Sequence, residues 1–429
     1  MALGNLAAEP ENHLEIVQSG GIDALIVLIK AEDIEGGRYA AFTLGINTLK
    51  IRPYLYSSGI HCASIANLAA NPSHRERIVE EGAVPCLVSL SCCDDLNAQR
   101  QAMAALRSLC LSPDYRLLVV REGIIDPLVL MSRSEDIDTL REVASALNCL
   151  SSTEENKNEI ADRALCTIIG LMLSGDPIIE RHAVCATANL MESQDLHARL
   201  MEERGLAPLI ALGYSTDANS SGEACRCISN LSVNADLHQA MLKEGVLSSL
   251  VKSLFTADLN CQRFSSLSLA NLATTVAAQI KIIQTGAVSP LIKLAISSTA
   301  QAEAKRYAVL ALANLTSTAA NHITLIEEGA LAAFFALSNS SDVMSQYYCG
   351  CALANLSCSI ANHHIIVEQG GLQPIITLAS SPDGDVHLQA AAALRGLAVT
   401  FVNKVRQESL LIVSSDYNRN LSSIFYVHR

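Results

Sequence analysis

The sequence predicts an all-α solenoid, a stack of three-helix repeats of about 41 residues. Three observations carry this expectation. The apolar half of the chain is mostly Leu, Ile, Val and Ala, with no tryptophan and only 4% aromatic residues, which suits packed helices better than β-sandwiches. A segment of one form recurs: IANLAA around Asn67, LRSLCL around Ser108, LNCLSS around Cys149, then TANLME, ISNLSV, LANLAT, LANLTS and LANLSC around Asn189, Asn230, Asn271, Asn314 and Asn355, and LRGLAV around Gly396. These ladder positions follow one another at steps of 40 to 43 residues. A glycine runs in phase with them: Gly82, Gly123, Gly205, Gly245, Gly286, Gly329 and Gly370 each follow an apolar-acidic segment such as RIVEEG or TLIEEG.

Within one unit the punctuation divides three helices. Asn71-Pro72-Ser73 opens a short helix that Gly82 closes, and Pro85 falls in the first turn of a second. The polar stretch Asp94-Asp95-Leu96-Asn97 caps the third and longest, QRQAMAALRSLCL. Three and six residues before the ladder position stand small side chains, Ala105 and Ala102 in this unit, forming a strip along which a neighbouring helix can approach closely. No single unit can bury that face alone, so units must stack.

Charge and motifs exclude several functions. The chain has 30 basic against 43 acidic residues, a net charge of −13, and no run of Lys and Arg, so nucleic acid is not an expected partner. None of the 14 cysteines forms a C-x-x-C pair; they read as reduced core thiols of a cytoplasmic protein, and no metal is expected. His363 and His364 are adjacent and so lie on different sides of a helix, no H-E-x-x-H occurs, and the paired glycines are turn markers, so neither catalysis nor a cofactor is expected. No stretch suits a lipid-facing span, and neither end of the chain encodes a lipidation signal. A monomer with no direct membrane insertion is expected.

The strings GAVPCLVSL, RYAVLALANLTS and NHITLIEEG resemble the armadillo repeat, in register from Leu3 to about Arg406. We read one solenoid over residues 1–406, with a partial repeat at 1–8, an irregular shortened repeat at 46–66 and a non-repeat tail at 407–429. The resemblance implies a right-handed superhelix whose third helices line a concave groove, with the ladder asparagines pointing into it. The chain is more similar to the vacuolar-anchor and β-catenin-like armadillo proteins than to the nuclear-import adaptors.

An asparagine amide has both a donor and an acceptor, so it can pair with the backbone of an extended peptide without reading its side chains. Helices about 8 to 10 Å apart and a strand rising about 3.3 Å per residue give roughly one amide per two or three peptide residues. The candidate groove residues are Asn189, Asn230, Asn271, Asn314 and Asn355; Ser108, Cys149 and Gly396 interrupt the run, which centres binding on the second half. The alternative role of these amides is structural, bonding the backbone of the neighbouring repeat. Eight residues earlier stand Arg38, Arg100, Arg141, Arg181, Arg263 and Arg306, which would favour acidic or phosphorylated segments, or else pair with acidic residues between the second and third helices such as Asp94 and Asp95. Import adaptors carry Trp four residues before the ladder; here those positions include Ala104, Cys185, Leu267, Leu310 and Cys351, so pockets for basic signals cannot form. The function expected is a non-catalytic scaffold or adaptor binding extended segments of other proteins. The alternatives are an organelle-surface tether of the vacuolar type and, behind it, a nuclear transport adaptor or transcriptional coactivator.

Overall fold

The computed structural model describes residues 9–30, 64–93 and 96–400, and among them every regular element is a helix. The partial repeat 1–8, residues 46–63 of the irregular segment, Arg38, Asp94, Asp95 and the tail 407–429 lie outside the described residues. The chain divides into two compact units, Met1–Pro208 and Leu209–Arg429. Each is a stack of helical repeats, so the all-α solenoid of roughly 41-residue repeats is the fold.

The third helices organise both units. In the first they are α1 (Leu96–Cys110), α2 (Ile137–Ser151) and α3 (Pro177–Leu190). In the second they are α4 (Ala218–Ser232), α5 (Leu259–Leu272), α6 (Ala302–Leu315), α7 (Val343–Ser357) and α8 (Gly384–Leu397). Thirteen residues before the ladder position an aspartate caps each of α2, α3, α4, α5, α7 and α8. Its carboxylate accepts from the first free backbone N–H groups, as Asp342 does from Ser345 N at 3.0 Å, satisfying donors that a helix start otherwise leaves open. Among the described caps of the third helices only that of α6 departs from this, with Gln301 at the cap and no side-chain bond. The longest ladder step, 43 residues, falls there, and its two extra residues lie between the second and third helices.

The small-residue strip is the contact surface between repeats. Ala105, Ala146, Cys227, Ser268, Ala311 and Ala352 have no exposed surface, and neither do Ala102, Val143, Ala224, Ser265, Ala308 and Cys349 one turn earlier. Helices approach closely where neither side carries bulk, and flanking leucines such as Leu269, Leu312 and Leu353 fill the space beside them.

Two departures from the marker pattern have physical causes. The left-handed residue that turns the first helix into the second lies 15 residues after the ladder position, as at Gly82 with φ of 76°. Fifteen residues after Asn189 is Arg204, not Gly205, and Arg204 takes that conformation at φ 59°, the one described non-glycine residue with positive φ. Gly205 is needed for a different reason, because a Cβ there would lie 2.4 Å from Leu200 Cδ1. Arg204→Gly therefore relieves backbone strain against a smaller entropy loss, and a gain of about 0.5 to 1 kcal/mol is expected in thermal denaturation. In the preceding unit, between Cys149 and Asn189, the step is one residue shorter and the turning glycine is the residue missing. Lys157–Leu171 runs straight through as one helix, so this repeat has two helices and not the three expected.

Candidate protein-binding face

Burial along each third helix isolates one stripe. The ladder position and those four, seven and eight residues earlier are half-buried in α5, α6 and α7, while the intervening positions, apart from the half-buried Ala354, are buried. Residues at offsets of four and seven share a helix face, so the stripe is continuous.

The ladder amides do two things at once. Asn271 Nδ2 donates to Ser232 Oγ (3.0 Å), Asn314 Nδ2 to Ala270 O (2.9 Å) and Asn355 Nδ2 to Thr316 Oγ1 (3.1 Å), each reaching back to the preceding repeat. In the first unit Asn189 Nδ2 reaches Ser151 Oγ at 3.2 Å and Asn148 Oδ1 at 3.5 Å. One N–H of each amide is thus a strut between repeats. Among the described residues the Oδ1 atoms of Asn271, Asn314 and Asn355 accept no hydrogen bond, and these side chains remain half-exposed. Each keeps one acceptor and one N–H for an outside partner. Asn230 sits at the same register of α4 and is also engaged.

The arginine row is occupied by the protein itself. Arg306 makes two bonds to Asp342 (2.9 and 2.6 Å), Arg141 reaches Asp176 at 2.7 Å, Arg100 lies 3.6 Å from Asp136, and Arg263 lies 2.6 Å from Glu303. Arg181 is engaged as well. Three of these carboxylates are the capping aspartates of the next third helix, so each arginine rivets one repeat to the helix start of the next. This is the pairing with acidic residues between the second and third helices, and it leaves little free positive charge on the stripe.

The same contacts set acid sensitivity. The Thr139 hydroxyl and backbone N–H hold the Asp136 carboxyl below 3.8; for Asp176 the Arg141 guanidinium does so first. At Asp342 burial pushes the other way, but bonds from Arg306 and Ser345 outweigh it. His182 lies below 6.5 because burial and then the charges of Arg181 and Arg107 oppose its protonation, and His74 is lowered by burial and by His13. Groups lowered on folding stabilise the fold above their unfolded values and lose that contribution as pH falls. Stability should therefore decline in two windows, first below pH 6.5 and again below 3.8. Denaturation midpoints measured against pH check this, and His182→Gln should shrink the upper window.

A second polar ladder, missed in the sequence, holds the repeats from behind. Eight residues after the ladder position, at the start of the first helix, stand Arg75, Arg116, His197, His238, Gln279, His322 and His363. Each donates to the carbonyl six residues before it, for example His238 Nε2 to Ser232 O at 2.7 Å and His363 Nε2 to Ser357 O at 2.8 Å. These carbonyls end the third helices and would otherwise be buried without a donor. Residue identity varies along this row and only the offset is constant; that offset was the signal available.

Cysteines and glycine complete the picture. The 13 described cysteines are free thiols, and burial pushes the Cys110 thiol up to about 12, which leaves it unreactive. Gly396 interrupts the amide row for a steric reason, since a Cβ there would lie 2.5 Å from Ser357 O. Among the described residues no single helix is long and apolar enough to cross a membrane.

A family model for the Armadillo/beta-catenin-like repeat matches residues 71–111, 112–152 and 362–399. A search of curated proteins finds no match. Among solved structures, an engineered protein superposes with a TM-score of 0.79 at 26% identity, over 92% of this chain and 93% of its own. A designed armadillo repeat protein matches with a TM-score of 0.51 at 27% identity, over 54% of this chain and 99% of its own. A computationally designed armadillo repeat protein for modular peptide recognition gives 0.52 at 26% identity, over 54% and 99%. With repeat geometry and ladder register in agreement, the chain carries Armadillo/beta-catenin-like repeats at residues 71–152 and 362–399, within a solenoid similar to designed armadillo repeat proteins.

Proposed function

We propose that this protein is a non-catalytic scaffold that binds extended segments of other proteins along the amide row of α5, α6 and α7. The observation that carries this is the state of Asn271, Asn314 and Asn355, each tethered by one N–H and each with an unused acceptor on a half-exposed face. An extended peptide has both backbone groups free on every residue, and a helix does not, so the row matches the former. Similarity to a protein designed for modular peptide recognition supports the same reading. The repeat architecture is generally a binding surface, and neither the sequence motifs nor the face described here supplies a nucleophile with an adjacent base.

The test is Asn271→Ala combined with Asn314→Ala. Partners captured by the wild-type chain and identified by mass spectrometry should bind the variant about 1 to 3 kcal/mol more weakly, since the hydrogen bonds of two amides to the ligand are lost. Equal affinity for the variant, with the fold intact, refutes the proposal.

A further inference from the structure

The stripe beside the amides differs sharply between the units. Seven residues before the ladder position the first unit carries Gln101, Glu142 and His182, with Glu142 held by Arg107 at 2.5 Å. In the second unit α4 carries Glu223, paired with Arg226 at 2.7 Å, and α8 carries Gln389. Between them, on α5, α6 and α7, the same position is Phe264, Tyr307 and Tyr348, all half-buried. Leu267 and Leu310 stand one turn nearer the amides on α5 and α6.

This patch has no charge to offer a ligand. Arg263 and Arg306 at its edge are neutralised by Glu303 and Asp342. The Arg263 guanidinium also lies 5.1 Å over the Phe264 ring, so that face is already occupied and a ligand lysine or arginine cannot stack on it. A ligand carboxylate would exchange water for rings and amides with no free cation opposite, which costs free energy. A neutral apolar side chain meets neither penalty and gains contact with the rings. Tyr347 packs edge-on against Tyr348, centroids 5.6 Å apart, which holds that ring in place.

We propose that the α5–α7 face selects uncharged extended segments of other proteins, whose aliphatic or aromatic side chains rest on Phe264, Tyr307 and Tyr348 while their backbone pairs with Asn271, Asn314 and Asn355. The inference rests on the peptide-binding reading above and adds the class of segment. A folded helix, or a second copy of this chain presenting one, has its backbone groups satisfied internally and leaves the three Oδ1 acceptors unanswered.

The experiment is selection of a random peptide display library on the full chain, followed by titration of the recovered peptides against wild type, Tyr307→Ser and the double asparagine variant. Recovered sequences should be uncharged and apolar at alternate positions, insensitive to salt, and about tenfold weaker on either variant. Charged sequences, or salt-dependent binding, that still weaken on the asparagine variant overturn this inference and leave the peptide-binding reading standing. Binding untouched by the asparagine changes, or no enrichment over a surface without the chain, overturns both. The composition and salt dependence are read on wild type, so they decide the matter even where Tyr307→Ser fails to fold.

Discussion

Gln279→Leu should destabilise the second unit by about 2 to 4 kcal/mol, because it strands several buried polar groups at once. Gln279 is 1% exposed, and its Nε2 lies 2.9 Å from Ala273 O, 3.1 Å from Asn314 O and 2.9 Å from Ser317 Oγ. Its Oε1 accepts from Asn321 Nδ2 at 3.1 Å. The side chain thus caps the end of α5, reaches the end of α6 and fixes the start of the next first helix. Leucine fills similar space, so the loss is one of hydrogen bonds and not of packing. Gln279→His is the control. Histidine occupies this register at His238, His322 and His363 and caps the same carbonyl there, so it should cost about 1 kcal/mol, the part belonging to the contacts with the next repeat. Chemical denaturation, with hydrogen exchange read on α5 and α6, measures both. Equal losses for the two variants would show that the carbonyl cap contributes nothing.

What the chain reveals in one dimension is set by what repeats. Period, helix number and the buried strip follow from small and branched residues at constant spacing, and the asparagines announce themselves because their type is constant too. The capping row at Gln279 and its equivalents is invisible to a search by residue type, since arginine, histidine and glutamine reach the same carbonyl. The roles of Arg141 and Arg306 were open because an arginine on a half-exposed stripe suits a ligand phosphate as well as a capping aspartate. Only placement of Asp176 and Asp342 opposite them decides it. The aromatic positions Phe264, Tyr307 and Tyr348 carry little periodic signal, because offset seven is aromatic in only these three units and polar in the other described ones. Arg204 and the fused helix Lys157–Leu171 show the reverse case: Gly205 stands one residue past the turning position, and the absence of a marker glycine between Gly123 and Gly205 fuses two of the three helices expected there.

Gly396→Asn would complete the amide row on paper, yet it should destabilise the packing of α8 on α7 by about 3 kcal/mol. A Cβ at residue 396 would lie 2.5 Å from Ser357 O, 2.9 Å from Ser357 Cβ and 3.0 Å from Ser357 C, all fixed atoms and none the end of a flexible side chain. The carbonyl it strikes also accepts from His363 Nε2 at 2.8 Å, so moving it breaks a cap in the second ladder. Alanine should therefore be nearly as harmful as asparagine, although alanine is the better helix former by about 1 kcal/mol over glycine in an open helix. Cys149→Asn gives the contrast. Cys149 is half-buried, already carries a Cβ in the ladder register of α2, and should accept the amide at a cost below about 1 kcal/mol. Thermal denaturation of the three variants, with hydrogen exchange on α8, separates them. If Gly396→Asn melts like wild type, close approach of α8 to α7 is not what ends the amide row, and a ligand contact at that position must be sought instead.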